Sequence, residues 1–114
     1  MAPRNSDLTP VALTVAGSDS GGGAGIQADL RAFNYFNVFG TTAITAVTAQ
    51  NPDVVNAIFP LPVKAVREQI TTVRQAFRIR AAKTGMLFNS DIIKSVAELF
   101  GDAPEIRLTV DPVM

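Results

Sequence analysis

Five glycines, Gly17, Gly21, Gly22, Gly23 and Gly25, fall within nine residues and are interleaved with Ser18, Asp19 and Ser20. Such a run lets the backbone approach a ligand closely and take up positive φ angles. Backbone N–H groups at the start of a following helix attract polar or anionic groups. Asp29 then stands about one turn inside that helix. Three more points carry polar or glycine chemistry: Gln50-Asn51, Gly85-Met86, and Asp111 before Pro112. A glutamine offers donors and an acceptor that suit the edge of a nitrogen heterocycle. A methionine beside a glycine can cover a planar ring. A carboxylate at a strand end can orient a divalent cation or a water near phosphates. Each has a plainer reading as well. The glycines suit a tight turn, Asp29 a solvated first-turn carboxylate favoured by the helix dipole, Gln50 a strand cap, Met86 core packing and Asp111 a turn. Lys83, inside a strand, reads as structural.

Other chemistries are excluded by what is missing. The chain of 114 residues has no histidine and no cysteine. That removes imidazole and thiolate metal sites, the Ser-His-Asp arrangement and disulfides. Ten basic and ten acidic side chains cancel, so no charge surplus points to nucleic acid or an anionic membrane. Gly23-x-Gly25-x-x-Ala28 has the form of a dinucleotide fingerprint, but the strand that should end in a ribose-binding acid ends in Ala49-Gln50-Asn51. A P-loop fails because no Lys-Ser or Lys-Thr follows the glycines. Residues 1–10 are polar, with two prolines and no apolar signal core, and read as a mobile tail on a cytoplasmic protein.

The elements that must position these groups follow from pattern. Residues 11–16 form an apolar run suited to a strand buried on both faces. A helix over 24–36 follows, with Ser18, Asp19 and Ser20 as N-cap candidates and Ile26, Leu30 and Phe33 on one face; Asn37 and Gly40 mark its exit. A strand over 41–49 and an extended piece over 54–59 come next. A helix over 63–77 buries Val63, Val66, Ile70 and Val73. The remainder reads as a strand over 81–84, a helix from Asn89-Ser90-Asp91 to Phe100 with Gly101 as C-cap, and a strand over 106–110. This alternation predicts an α/β fold with a mostly parallel sheet flanked by helices on both faces. The four polar points then share the carboxyl ends of the strands, where open α/β sheets bind ligands.

The stretch from Ala16 through the glycines to Ile26-Gln27-Ala28-Asp29-Leu30 closely resembles the N-terminal signature of the hydroxymethylpyrimidine/phosphomethylpyrimidine kinases, thiamine-biosynthesis members of the ribokinase-like superfamily. Ile44-Thr45-Ala46-Val47-Thr48-Ala49-Gln50-Asn51, Lys83-Thr84-Gly85-Met86-Leu87 and Val110-Asp111-Pro112-Val113-Met114 resemble the family's next three signatures, in the same order. The resemblance implies ATP-dependent phosphorylation of 4-amino-5-hydroxymethyl-2-methylpyrimidine and then of its monophosphate. It implies that Gln50 bonds the pyrimidine edge, that Asp29 helps hold the hydroxymethyl end, and that Met86 and Val113 line the ring. The glycine loop, with Gly17, Asp19, Ala24 and Gly25, would close around the substrate, and Asp111 would lie near Mg2+ and phosphate. Residues 11–114 would be the N-terminal half of such a domain. The anion hole and catalytic residue are expected beyond Met114, so the chain alone is expected to be inactive and weakly stable or self-associating. Family members are often dimeric, which makes a homodimer an expectation. The alternatives are a pyridoxal/pyridoxine kinase of the same superfamily and a non-catalytic pyrimidine-binding module.

Overall fold

Val11, Leu13 and Val15 alternate with Ala12, Thr14 and Ala16, and all six are buried. Large residues on one side and small ones on the other imply helices packed at different depths on the two faces of a central strand. A computed structural model describes residues 9–112 and shows this arrangement. The expected mobile tail falls largely on residues 1–8, outside the described residues, as does Val113.

The elements run β1 (Val11–Asp19), α1 (Gly25–Tyr35), β2 (Phe39–Asn51), β3 (Val54–Pro60), α2 (Val63–Ala76), β4 (Ile79–Thr84), α3 (Ser90–Gly101) and β5 (Arg107–Val110). They form one sheet in the order β3-β2-β1-β4-β5. β1 pairs in parallel with β2 and β4, and β4 with β5. β3 folds back antiparallel on β2, through a turn in which the Asn51 side chain accepts from the backbone N–H groups of Asp53 and Val54. The chain leaves β1 one way to reach β2 and the other way to reach β4. Right-handed crossovers therefore put α1 on one face and α2 and α3 on the opposite face.

The main core lies on the α2/α3 side, where Val11, Leu13 and Val15 meet Val66, Ile70, Ile92, Val96 and Phe100. Leu13 and Ile70 are completely buried, each stabilising by about 1.5–3 kcal/mol relative to exposure. On the other face, Gly40 lies beneath α1, where a Cβ would meet Leu30 at 2.6 Å and Phe33 at 2.9 Å. Gly40 is thus a strand residue that lets α1 sit close, and the exit from α1 is made by Asn37 at φ 59°. The edge strands are the exposed parts: all four residues of β5 are solvent-facing, and β3 shows Val54, Val55, Ile58 and Phe59. Among the described residues no helix is long and apolar enough to cross a membrane.

Most predicted elements are found within a few residues of their expected bounds, and besides Gly40, which lies in β2 and not at the exit of α1, two local expectations fail. α1 begins after Ala24, whose side chain makes no capping bond, so none of Ser18, Asp19 or Ser20 is the N-cap residue. Gly101 is the last helical residue of α3, and Asp102 stands at the C-cap. The N-terminus of α3 is as expected, with the Asn89 side chain accepting from the Ile92 N–H at 2.9 Å.

Candidate functional site

β1 is the point at which the winding direction reverses, and its carboxyl end therefore opens a crevice between the loops that leave β1 and β4. The glycine run occupies that place. Opposite Gly17 the register shifts because β2 carries one extra residue, Thr45 and Ala46 facing the single glycine, a bulge of the kind common beside sites. The chain then turns, with Gly22 at φ 78°, and enters α1 through Gly25 at φ 60°. A Cβ on Gly25 would collide with the carbonyl oxygen of Gly17, so the helix start is pressed against the strand end.

Asp19 organises this turn. Its Oδ1 accepts from the Gly21 N–H at 2.8 Å, and its Oδ2 accepts from Gly23 at 2.9 Å and Ala24 at 2.8 Å. The carboxylate thus ties the turn together and satisfies the N–H of Ala24, the residue that precedes α1. Burial pushes the Asp19 carboxyl upward, but the backbone donors of Gly21, Ala24, Gly23 and Gly22 together win and hold it below the usual value. Gln27 reaches back from α1, accepting from the Asp19 N–H and donating to Ser18 Oγ, both at 2.9 Å. Ser20 Oγ donates to the Gln50 carbonyl at 2.6 Å and accepts the Gln50 N–H at 2.7 Å, tying the loop to the end of β2. The loop's own carboxylate takes donors that a P-loop would offer to phosphate, which gives a second reason to set that motif aside.

A cleft of about 270 Å3 lies beneath the loop. One side comes from β1 and the loop, through Gly17, Asp19, Ala24 and Gly25. Gln50 closes it from β2, Lys83 from β4, Met86 from the loop after β4, and Asp111 from just past β5. Thr48 Oγ1 directs its one proton mainly at the Ser18 carbonyl, at 2.8 Å, with the Gln50 side-chain oxygen at 3.1 Å; among the described residues the Gln50 amide N–H groups have no partner, so they can serve a ligand. Met86 is held by its backbone, whose carbonyl accepts from the fully buried Thr45 hydroxyl at 2.6 Å. Its methyl end passes so close to Gly17 that a Cβ there would lie 2.6 Å away. The Asp111 N–H is fixed to the Thr84 carbonyl at 3.0 Å, while its side chain is 63% exposed at the mouth.

Seven of the residues singled out from sequence therefore meet around one cleft: Gly17, Asp19, Ala24, Gly25, Gln50, Met86 and Asp111. Asp29 lies just behind it. It is not the solvated carboxylate of the plainer reading: its side chain is only 18% exposed, accepts from the Thr14 hydroxyl at 2.6 Å and is ion-paired with Lys83 at 3.0 Å. Lys83 is the site residue that reading by element missed. Its signal was there, because a cation between buried Ala82 and Thr84 requires a counter-charge, but the partner lies 54 residues away.

The chain is similar to proteins named as kinases. The family model described as phosphomethylpyrimidine kinase matches residues 19–114. The hydroxymethylpyrimidine/phosphomethylpyrimidine kinase of Haemophilus influenzae is 55% identical over 102 residues, covering 90% of this chain and 38% of that protein. The crystal structure of phosphomethylpyrimidine kinase from Clostridium difficile superposes with a TM-score of 0.87 at 44% identity, over 91% of this chain and 48% of that one. Pyridoxal kinase from Staphylococcus aureus, solved in complex with AMP-PCP and pyridoxal, superposes with a TM-score of 0.84 at 36% identity, over 95% of this chain and 40% of that one. The chain thus spans about two-fifths of the length of the curated relative it matches.

Proposed function

This chain belongs to the phosphomethylpyrimidine kinase family, and from that premise we propose that it is the substrate-binding part of an ATP-dependent kinase. The enzyme would phosphorylate 4-amino-5-hydroxymethyl-2-methylpyrimidine and then its monophosphate. The observation that carries the reading is the convergence of Gln50, Met86 and the glycine loop on one cleft at the reversal point of the sheet. Gln50 supplies hydrogen bonds to the heterocycle edge, and the apolar Met86 end covers its face. The loop shields the ring from water, and the hydroxymethyl group points toward Lys83 and Asp111.

ATP as donor is supported by the relative solved with AMP-PCP. A magnesium ion fits what is present. Among the described residues no cluster of three or more acidic side chains forms a cage, and Mg2+ is commonly held by one or two carboxylates plus substrate phosphates. Asp111, exposed at the cleft mouth, would be its protein ligand. Bound there, the ion would offset charge on the transferring phosphoryl group. The phosphoryl donor pocket and the anion hole belong, in this reading, to the part of the relatives that the chain does not span. A cytoplasmic homodimer completes the proposal.

The test is steady-state phosphorylation by the complete gene product. The pyrimidine alcohol and its monophosphate should both turn over with ATP and Mg2+, and Gln50→Ala should raise KM for both by about 5- to 30-fold, the worth of one or two hydrogen bonds. The similarity to a pyridoxal-bound kinase favours one second reading, turnover of pyridoxal. A kcat/KM for pyridoxal above that for the pyrimidine would replace the first reading by the second. Pyrimidine binding with no turnover of either would identify a binding module.

A further inference from the structure

Resting on the pyrimidine-kinase reading, we propose that Lys83 is the residue that touches the reacting end of the substrate, with Asp29 and Thr14 acting through it as positioning residues. The expectation from family resemblance gives the contact to Asp29. The geometry points to its partner. Both Asp29 oxygens are taken by the protein's own donors: Lys83 Nζ stands 3.1 Å from Oδ1 and 3.0 Å from Oδ2, and the buried Thr14 hydroxyl adds a bond of 2.6 Å to Oδ2. Lys83 lines the cleft, and Asp29 does not.

A lysine ammonium carries three N–H donors and no acceptor. Two of them are used by Asp29. Asp111 Oδ2, at 3.8 Å, attracts the charge but is beyond hydrogen-bond distance. Among the described residues no other acceptor is bonded to this nitrogen, so one donor is left for a group in the cleft that Lys83 and Asp111 both line. The ammonium is also held in place: its side chain is 19% exposed, and it passes over Gly85, where a Cβ would come within 3.1 Å of Nζ. A cation fixed in this way before the substrate arrives interacts with anionic oxygen at little reorganisation cost. It serves a phosphate monoester far better than a neutral hydroxymethyl group, because charge-assisted bonds are roughly twice as strong as neutral ones. Lys83 is therefore the residue that favours the monophosphate as the second substrate.

The experiment measures kcat and KM of the complete gene product for the pyrimidine alcohol and for its monophosphate, in wild type, Lys83→Met, Lys83→Arg, Asp29→Asn and the Lys83→Met/Asp29→Asn double variant. Lys83→Met should raise KM for the monophosphate about 10- to 100-fold, as expected for loss of a charge-assisted bond, and KM for the alcohol less than about fivefold. Lys83→Arg should restore part of the difference. Asp29→Asn should shift the same ratio in the wild-type background and have no further effect beside Lys83→Met. Equal losses for both substrates in Lys83→Met, or an undiminished Asp29→Asn effect in the double variant, would overturn the assignment. If Lys83→Met does not fold, Lys83→Gln provides the same readout, since it removes the charge and keeps a polar end; an unchanged ratio there also overturns it. A wild-type protein inactive on both substrates removes the kinase reading and this inference with it. An active wild type with an unchanged ratio removes the Lys83 assignment alone.

Discussion

Alanine substitutions at two glycines of the loop separate conformational strain from close approach. Gly22 and Gly25 both have positive φ, 78° and 60°. A Cβ at Gly22 would meet nothing within 4 Å, whereas one at Gly25 would strike the Gly17 carbonyl oxygen and lie 3.1 Å from the Asp19 backbone nitrogen. Placing an L-residue in the left-handed region costs about 1–2 kcal/mol. Alanine recovers about 0.4–1 kcal/mol of that by restricting the unfolded chain. Gly22→Ala should therefore destabilise by about 1 kcal/mol. Gly25→Ala carries the same strain plus overpacking against backbone that cannot swing aside, a further 1–3 kcal/mol or so, for a total of about 2–4 kcal/mol. Gly23→Ala is the control: its φ is not positive, and the nearest atom to its Cβ is an Asp19 oxygen at 3.8 Å. It should be neutral within about 0.5 kcal/mol. The assay is urea unfolding of the complete gene product, reading the midpoint at constant m, together with pyrimidine affinity. Gly25→Ala should lose both stability and affinity, because the close approach sets the cleft wall. If Gly25→Ala proved no more destabilising than Gly22→Ala, the packing of the α1 start against the β1 end would be wrong, and with it the shape of the cleft.

Two other perturbations address how the cleft is held. Thr45→Val keeps the shape of a fully buried residue but leaves the Met86 carbonyl without its 2.6 Å donor; denaturant titration should show a loss of about 1–3 kcal/mol, with weakened pyrimidine binding measured calorimetrically. A loss below about 0.3 kcal/mol would show that this bond does not anchor Met86. The Asp19 carboxyl is held below its ordinary value of 3.8, so its folded form binds a proton less readily than the unfolded chain. Its stabilisation is complete above that ordinary value and is lost as the pH falls through the lower folded one. The amide NMR signals of Gly21, Gly23 and Ala24 should therefore stay constant from neutrality to about pH 4 and move together only below it, and Asp19→Asn should abolish that joint titration. Movement centred near neutral pH would refute the assigned role.

The α/β class and the identity of most cleft residues were legible in the sequence because both depend on local signals. Apolar runs of strand length, the stripe at Val66 and Ile70, and a glycine-rich segment between strand and helix are written within a few residues of themselves. The carboxyl ends of parallel strands lie on one edge of a sheet by construction, so residues placed at those ends must be neighbours once the alternation is recognised. Gln50, Met86 and Asp111 could thus be grouped without coordinates.

The tertiary structure decided what depends on residues far apart in the chain. β1 extends to Asp19 because its pairing with β2 continues past the β2 bulge opposite Gly17, and no local pattern encodes a partner strand. Gly40 reads as a helix exit until α1 is seen lying on it. Asp19 looked like one of three possible caps, yet its carboxylate reaches the Gly23 and Ala24 amides only because the intervening glycines fold the chain back. Lys83 and Asp29 each have an unremarkable local setting. Burial makes an unpaired charge costly, so each requires the other, but that requirement names no partner until the β1–β4 pairing and the seating of α1 bring Lys83 Nζ within 3.0 Å of the Asp29 carboxylate. The sequence by itself determined which chemical groups stand at the strand ends; the packing of α1 over β1 and β2, with β4 paired beside β1, determined which of them face the cleft and which stand behind it.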